Sequence, residues 1–341
     1  MQMRDDLGIT TKLENGKAYL EFALPEKIGR LLSALQIEIW EGAEGKRLVF
    51  HGEYSSEEAD SMTALLLRPH LWDGMRDPYV YLVKAQGRFR SVEYGEKMGG
   101  MEKEEKLDPA EDITGEVEMY WRQELTIYDV RVVEKKGILL NEKEFLPHEV
   151  VYRLPPQISD AGTRVEQVRR DLERLVQMGV NVIRLEGTGT GAEGVNCSEV
   201  RTFYSLCRKR GFLTGDLWIR PENLPVYRGL PGETTCQALL AADGRTLTER
   251  YYYYQAKWSS EPVLYPVLST LHRQENGLLS LTIYSNQKKV VLYVDGVLFL
   301  FQSAASGDPE FIFEDIPVAK LPLHLAVEAG NLSISLTVSK I

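Results

Sequence analysis

Residues 163–185, TRVEQVRRDLERLVQMGVNVIRL, contain the change of period that decides the fold. Thr163-Arg164-Val165-Glu166 fits a capping box, and Val165, Val168, Leu172, Leu175 and Met178 follow at helical spacing. Gly179 stands where a helix C-cap glycine belongs, and Val180 to Leu185 reads as a buried strand. A second helix is predicted from about Ser198 to Lys209, stopped by Gly211, and Phe212 to Trp218 is a further apolar run. Helix, strand, helix and strand with short connections define parallel βα units.

On either side of this segment the period is two. Leu35, Ile37 and Ile39 alternate with Gln36 and Glu38, and Tyr79, Tyr81 and Val83 form a second alternation. Turn-rich pieces such as Glu41-Gly42-Ala43-Glu44-Gly45 separate such runs, which predicts an antiparallel sandwich. From Glu93 to Thr114 charges dominate and large apolar residues are scarce, the pattern of a solvated hairpin loop. Beyond a Pro- and Gly-containing link (Pro221, Pro225, Gly229, Pro231, Gly232) the strand period returns. It is clearest where Leu332, Ile334, Leu336 and Val338 alternate with Ser333, Ser335, Thr337 and Ser339. No internal repeat of fixed period is visible.

The composition is that of an ordinary globular protein: 341 residues, 43% hydrophobic and 26% charged, which excludes collagen-like, coiled-coil and wholly disordered chains. Forty Lys and Arg against 50 Asp and Glu leave a net charge of −10, unsuited to a phosphate backbone, so no nucleic-acid partner is expected. The longest apolar stretch, Val290 to Phe301, carries Asp295 and Gly296 at its middle and is too short to span a membrane. Cys197, Cys207 and Cys236 show no metal-ligand spacing and read as reduced thiols. With no secretory signal visible at Met1–Gly16, a cytoplasmic location is expected, and the Asn196-Cys197-Ser198 and Asn331-Leu332-Ser333 triplets carry little weight. His51, His70, His148, His272 and His324 are scattered, so neither a metal site nor a cofactor is expected.

Several segments in order resemble glycoside hydrolase family 2, the β-galactosidase-like enzymes. Leu71-Trp72-Asp73-Gly74 with Pro78-Tyr79-Val80-Tyr81 is similar to a strand approach in the family's sandwich domain, and Ile138 to Phe145 to the lead-in to its barrel. Arg169-Arg170-Asp171-Leu172 through Met178-Gly179-Val180-Asn181-Val182-Ile183-Arg184 resembles a helix and strand of that barrel. Phe203-Tyr204-Ser205-Leu206-Cys207, with Gly211, Phe212 and Asp216, is similar to the next. Tyr251 to Trp258, Ile283-Tyr284-Ser285-Asn286 and Val290 to Gly296 resemble its C-terminal sandwich.

The departures bear on function. A complete barrel takes about 250 residues, but only about 110 lie between Asn141 and Arg250. The segments that would carry the family's acid/base and nucleophile glutamates are missing, and Glu142 replaces the glycine of the lead-in motif. After Arg184 the chain has Glu186-Gly187-Thr188-Gly189 where the family has a histidine, and Leu217 stands where it has a glutamate.

The expected fold class is therefore multidomain α and β: two immunoglobulin-like β-sandwiches (1–137 and 246–341) flanking a truncated (β/α) barrel-like α/β module (138–245). Retaining hydrolysis needs two carboxyl groups about 5–5.5 Å apart. The candidates at C-terminal strand ends are Glu186 and Asp216, set against an exposed residue and a strand-end remnant, and no catalytic residue is assigned. Arg184, on an apolar run, calls for an ion-pair partner such as Asp216 or Glu186, and with Trp218 it makes the candidate substrate-binding pair. All four residues are expected on one side of the sheet. The Tyr251–Tyr254 run is read as strand, presenting two tyrosines to each face. The expected partners are a carbohydrate ligand, and a second copy or another protein covering the open sheet. Two function classes follow, a non-catalytic carbohydrate-binding, scaffold or regulatory relative and a glycosidase working through unusual carboxylates.

Overall fold

Every second side chain of β2 (Lys17–Ala23) is buried, Ala18, Leu20 and Phe22, and that alternation builds the first unit of the chain. In the computed structural model, residues 7–92, 113–155, 161–186, 197–215, 224–230, 238–305 and 307–340 are described. They fall into two units, Met1–Phe145 and Leu146–Ile341. In the first, β1 (Gly8–Glu14) and β5 (Thr63–Leu66) flank β2 in one antiparallel sheet. β3 (Leu32–Glu41), β4 (Arg47–Ser55), β6 (Tyr81–Val92) and β7 (Ile113–Leu125) form another in the order β4-β3-β6-β7. Leu20 and Phe22 share one core with Leu35, Ile37, Val83 and Phe89, so the two sheets form a sandwich. Of the predicted hairpin loop, residues 93–112 lie outside the described residues, while Ile113 and Thr114 begin β7.

The lead-in motif is a small sheet of β8 (Val130–Val133), β9 (Gly137–Leu140) and β10 (Lys143–Glu144). Asn141 and Glu142 join β9 to β10 with φ of 49° and 68°, both in the left-handed region that a tight hairpin turn demands. Asn141 earns this place by its side chain: Nδ2 donates to the Trp72 carbonyl at 2.8 Å and Oδ1 accepts from the Asp129 N–H at 3.0 Å.

The second unit opens with a parallel sheet. Its strands are β11 (Glu149–Tyr152), β12 (Val182–Leu185), β13 (Leu213–Thr214), β14 (Val226–Arg228) and β15 (Ala238–Leu240), in the order β13-β12-β11-β14-β15. The sequence pattern predicted a module with three strands; β14 and β15 are additional, and β14 lies within the stretch taken as a link. Three-residue strands fall below the length at which periodicity can be read. Among the described residues β13 and β15 each have one neighbour, so no closed barrel is seen. α2 (Ala161–Met178) and α3 (Cys197–Arg210) share a core with the sheet through Leu172, Leu175 and Phe203. The short α1 (Glu26–Gly29) belongs to the first unit. The capping box is corrected, since α2 already runs from Ala161 and Thr163 lies inside it.

The strand reading of Tyr251–Tyr254 is overturned: these residues lie in α4 (Glu249–Trp258), which starts after Thr248. A helix turns each successive side chain by about 100°, and the four rings meet different neighbours. Tyr251 is buried, Tyr252 stacks on Tyr265 at 3.8 Å, Tyr253 meets Tyr284 edge-on at 5.4 Å and Tyr254 lies 4.5 Å from Trp258. The expected boundary at 245 falls just before α4, in the same unit as the strands that follow.

Those strands are β16 (Leu264–Arg273), β17 (Leu279–Ser285), β18 (Lys289–Val294), β19 (Val297–Ser303), β20 (Glu310–Ile316), β21 (Leu323–Ala329) and β22 (Leu332–Val338). They form sheets β16-β17-β20 and β19-β18-β21-β22 around one core. Numbered from its own first strand, this sandwich has sheets 1-2-5 and 4-3-6-7, the order of the first unit. The apolar stretch Val290–Phe301 is the β18–β19 hairpin, turning at Asp295 and Gly296.

Glu142 carries a Cβ in a conformation that glycine adopts freely. Glu142→Gly should raise stability by about 0.5–1 kcal/mol, the left-handed strain less the entropy glycine adds to the unfolded chain, read from urea unfolding. No gain would place the strain elsewhere.

Candidate functional site

Parallel strands offer ligands their C-terminal ends, and here β11 delivers Arg153 and β12 delivers Glu186 to that end. The Val151–Arg184 and Tyr152–Leu185 register brings the two side by side. The Glu186 N–H donates to the Tyr152 carbonyl at 2.9 Å. Arg153 Nε donates to Glu186 Oε2 and Nη2 to Oε1, while Nη1 reaches the Arg228 carbonyl at 3.3 Å. The guanidinium thus holds both carboxylate oxygens. After β15 the turn carries Asp243, whose carboxylate accepts from the N–H groups of Arg245 and Thr246 and from the Thr246 hydroxyl. These hydrogen bonds hold its pKa down at about 2.

Arg184 lies on β12, two residues before Glu186. Its Nε donates to Glu149 Oε1 at 2.8 Å, and Glu149, on the first residue of β11, is fully buried. Of the two expected partners, Glu186 pairs with Arg153 and Asp216 lies outside the described residues; Glu149, further down the adjoining strand, is a partner of Arg184 that the sequence pattern did not name. Glu149 was missed in the sequence, where its only signal is a carboxylate opening the apolar run Val150-Val151-Tyr152. Asp216 and Trp218 lie outside the described residues, as does the glycine-rich stretch 187–191. The placement of Arg184, Glu186, Asp216 and Trp218 on one side therefore concerns two residues outside the described set.

Beneath the strand ends sits a buried anion. Asp171, on α2, is wholly enclosed and accepts four hydrogen bonds. Tyr152 and Tyr227 donate their hydroxyls at 2.9 and 3.1 Å, Gln167 its amide at 2.9 Å and Arg228 Nη2 at 2.7 Å. Burial and the Asp171 charge push both tyrosine pKa values far above their ordinary value. Gly244 (φ 68°) leaves room for the arginine, since a Cβ there would lie 2.6 Å from Arg228 Nη1.

The remaining residues of the family-like helix and strand serve the backbone. A Cβ on Gly179 (φ 87°) would lie 2.4 Å from the Trp258 carbonyl oxygen. Asn181 Oδ1 accepts from the His148 N–H at 2.7 Å and Nδ2 donates to the Leu146 carbonyl at 2.8 Å. His148 stacks on Trp258 with rings 5.2 Å apart, and its Nδ1 lies 2.8 Å from the Gly179 carbonyl, which requires the proton on Nδ1. Burial lowers the His148 pKa. Cys207 is buried and its thiol pKa is pushed well up, making it unreactive. No group of three metal ligands exists among the described residues.

No protein-family model matches the sequence, and no curated protein matches it. Solved structures do. An FMN-binding β-glucuronidase from Facaelibacterium prausnitzii L2-6 is similar over 98% of this chain and 74% of its own, with TM-score 0.61 and 14% identity. A β-glycosidase from Bacteroides vulgatus gives 0.63 and 11%, over 98% and 64%. A glycosyl hydrolase family 2 member from Bacteroides cellulosilyticus DSM 14838 gives 0.60 and 12%, over 98% and 63%. The chain thus shares the fold of family 2 glycosidases while spanning about two thirds to three quarters of the length of these three.

Two outcomes test this geometry. Asp171→Asn removes the charge facing buried Arg228 and should cost about 3–5 kcal/mol, whereas Glu186→Gln, at a half-exposed pair, should cost under about 1 kcal/mol; equal losses in urea unfolding would contradict it. Because the folded pKa of His148 lies below the unfolded value of about 6.5, the unfolded chain takes up the proton first. Its contribution is complete above about pH 6.5 and is lost as pH falls below that. Between pH 7.5 and 5.5 the wild type should therefore lose more stability than His148→Gln; parallel profiles would show that His148 does not titrate with folding.

Proposed function

We propose that this protein is a non-catalytic carbohydrate-binding relative of the family 2 glycosidases, built of two immunoglobulin-like sandwiches and an α/β module that stands in place of the full barrel. The observation that carries the reading is the Arg153–Glu186 pair at the C-terminal strand ends. Hydrolysis with retention asks one carboxyl group to attack and a second, kept protonated, to donate. Glu186 has both oxygens on a guanidinium, and Asp243 is an ionised turn anchor with its pKa near 2. Neither is arranged to give up a proton. Asp216 and Trp218, which follow β13 in sequence, remain the candidates for contact with a sugar at this end. A second copy or another protein lying along the edge strands β13 and β15 belongs to the same proposal, as does a cytoplasmic location.

Hydrolysis of 4-nitrophenyl β-galactoside, β-glucuronide and β-glucoside should stay at the uncatalysed rate in the wild type and in Glu186→Gln. Turnover by the wild type that disappears in Glu186→Gln or Asp216→Asn would establish a working glycosidase instead.

A further inference from the structure

The outer face of the β4-β3-β6-β7 sheet carries a cleft of about 590 Å³, formed wholly by residues of the first unit. Register explains it. One rung across the four strands is Glu53–Gln36–Gln86–Tyr120, and the next is Ser55–Ala34–Arg88–Glu118. Side chains of one rung stand on one face. Small Ala34 and Ser55 leave a trough beside the longer side chains of the first rung. Four strands at about 4.8 Å spacing make it about 14 Å across, the length of a short oligosaccharide.

Beside the lining, and hydrogen-bonded to two of its residues, Gln86 and Glu118, stands an exposed ring. Tyr120 is 67% accessible, yet its orientation is fixed, because its hydroxyl donates to Glu118 Oε2 at 2.5 Å and accepts from Gln86 Nε2 at 3.1 Å. Such a pinned, bare aromatic face offers a platform without loss of side-chain freedom on binding. The side chains of Arg88 and Gln36 line the trough and make no hydrogen bond or ion pair with the described residues. An amide donates and accepts, a guanidinium donates in a fork and a carboxylate accepts at two oxygens. Vicinal hydroxyls can meet all three.

The lining also excludes other ligands. Glu53, Glu58 and Glu118 against Arg88 make the cleft negative, so phosphates and nucleic acid are repelled. Its lining is dominated by polar side chains, which disfavours lipid.

We propose that this cleft binds an uncharged oligosaccharide, with a pyranose ring on Tyr120 and hydroxyls on Gln36, Gln86 and Arg88. The proposal rests on the carbohydrate-binding reading above and gives it a place remote in sequence from the parallel strand ends. Calorimetric titration of the full chain with cellohexaose, xylohexaose and mannohexaose tests it, with spermine as a cationic probe of the carboxylates. At least one hexaose should bind, about tenfold more weakly to Tyr120→Ala and to Arg88→Ala than to the wild type. Circular dichroism and urea unfolding matching the wild type confirm that the variants are folded; both residues are exposed. Hexaose binding that falls only in Arg153→Ala or Trp218→Ala would overturn the cleft while sparing the proposed function. Binding of spermine alone would make the cleft a polycation site, and no hexaose binding at millimolar concentration would overturn both.

Discussion

A carboxylate sealed inside a protein must be matched donor by donor, and the second unit is organised around that demand at Asp171. The side chain belongs to α2, but its hydrogen bonds come from β11 through Tyr152, from β14 through Tyr227 and Arg228, and from Gln167 one helical turn away. A buried anion left short of partners costs several kilocalories per mole. The helix therefore has one rotation and one height at which all four bonds close, and the two adjacent central strands are fixed with it. Gly244 keeps the arginine's place open. The strand ends above, where Arg153 grips Glu186, inherit their spacing from this clamp.

The residues that make the sequence resemble family 2 glycosidases share this character. Asp171 clamps, Gly179 permits the helix end to lie against the Trp258 carbonyl, Asn181 ties down the start of β11, and Arg184 neutralises buried Glu149. Asn141 closes the β9–β10 turn onto Trp72. Asn286 does the same for the chain after α4, accepting from the Val263 N–H and donating to the Glu261 carbonyl. Each satisfies backbone or buried charge. Residues of this kind persist wherever the fold does, with or without chemistry, and so the resemblance speaks to architecture.

The two sandwiches make the same point from the other side. Both have sheets ordered 1-2-5 and 4-3-6-7, although no repeat is visible in the sequence. Alternation and turn placement suffice to set this topology, since many apolar residues of suitable size can fill either core. Their outer faces are then free to diverge, and in the first unit that freedom has produced a polar trough beside an exposed tyrosine.

The sequence by itself determined the order of the elements: strands, then βα units, then strands, with α2 and β12 where the period placed them. Period is a local property, carried by neighbours along the chain, and it survives translation into structure wherever an element is long enough. It fails at β14 and β15, three residues each, and it misled at Tyr251–Tyr254, where four aromatics suggest a strand but each finds a separate partner around a helix. The sequence also marked Glu186 and Arg184 as charges on a parallel sheet. Only the tertiary structure decided whom they meet, because Arg153 and Glu149 arrive from β11, more than 30 residues earlier in the chain. The cleft of the first unit was equally hidden: it exists only when β3, β4, β6 and β7 lie in register, so that Ala34 and Ser55 become neighbours of Gln86 and Tyr120.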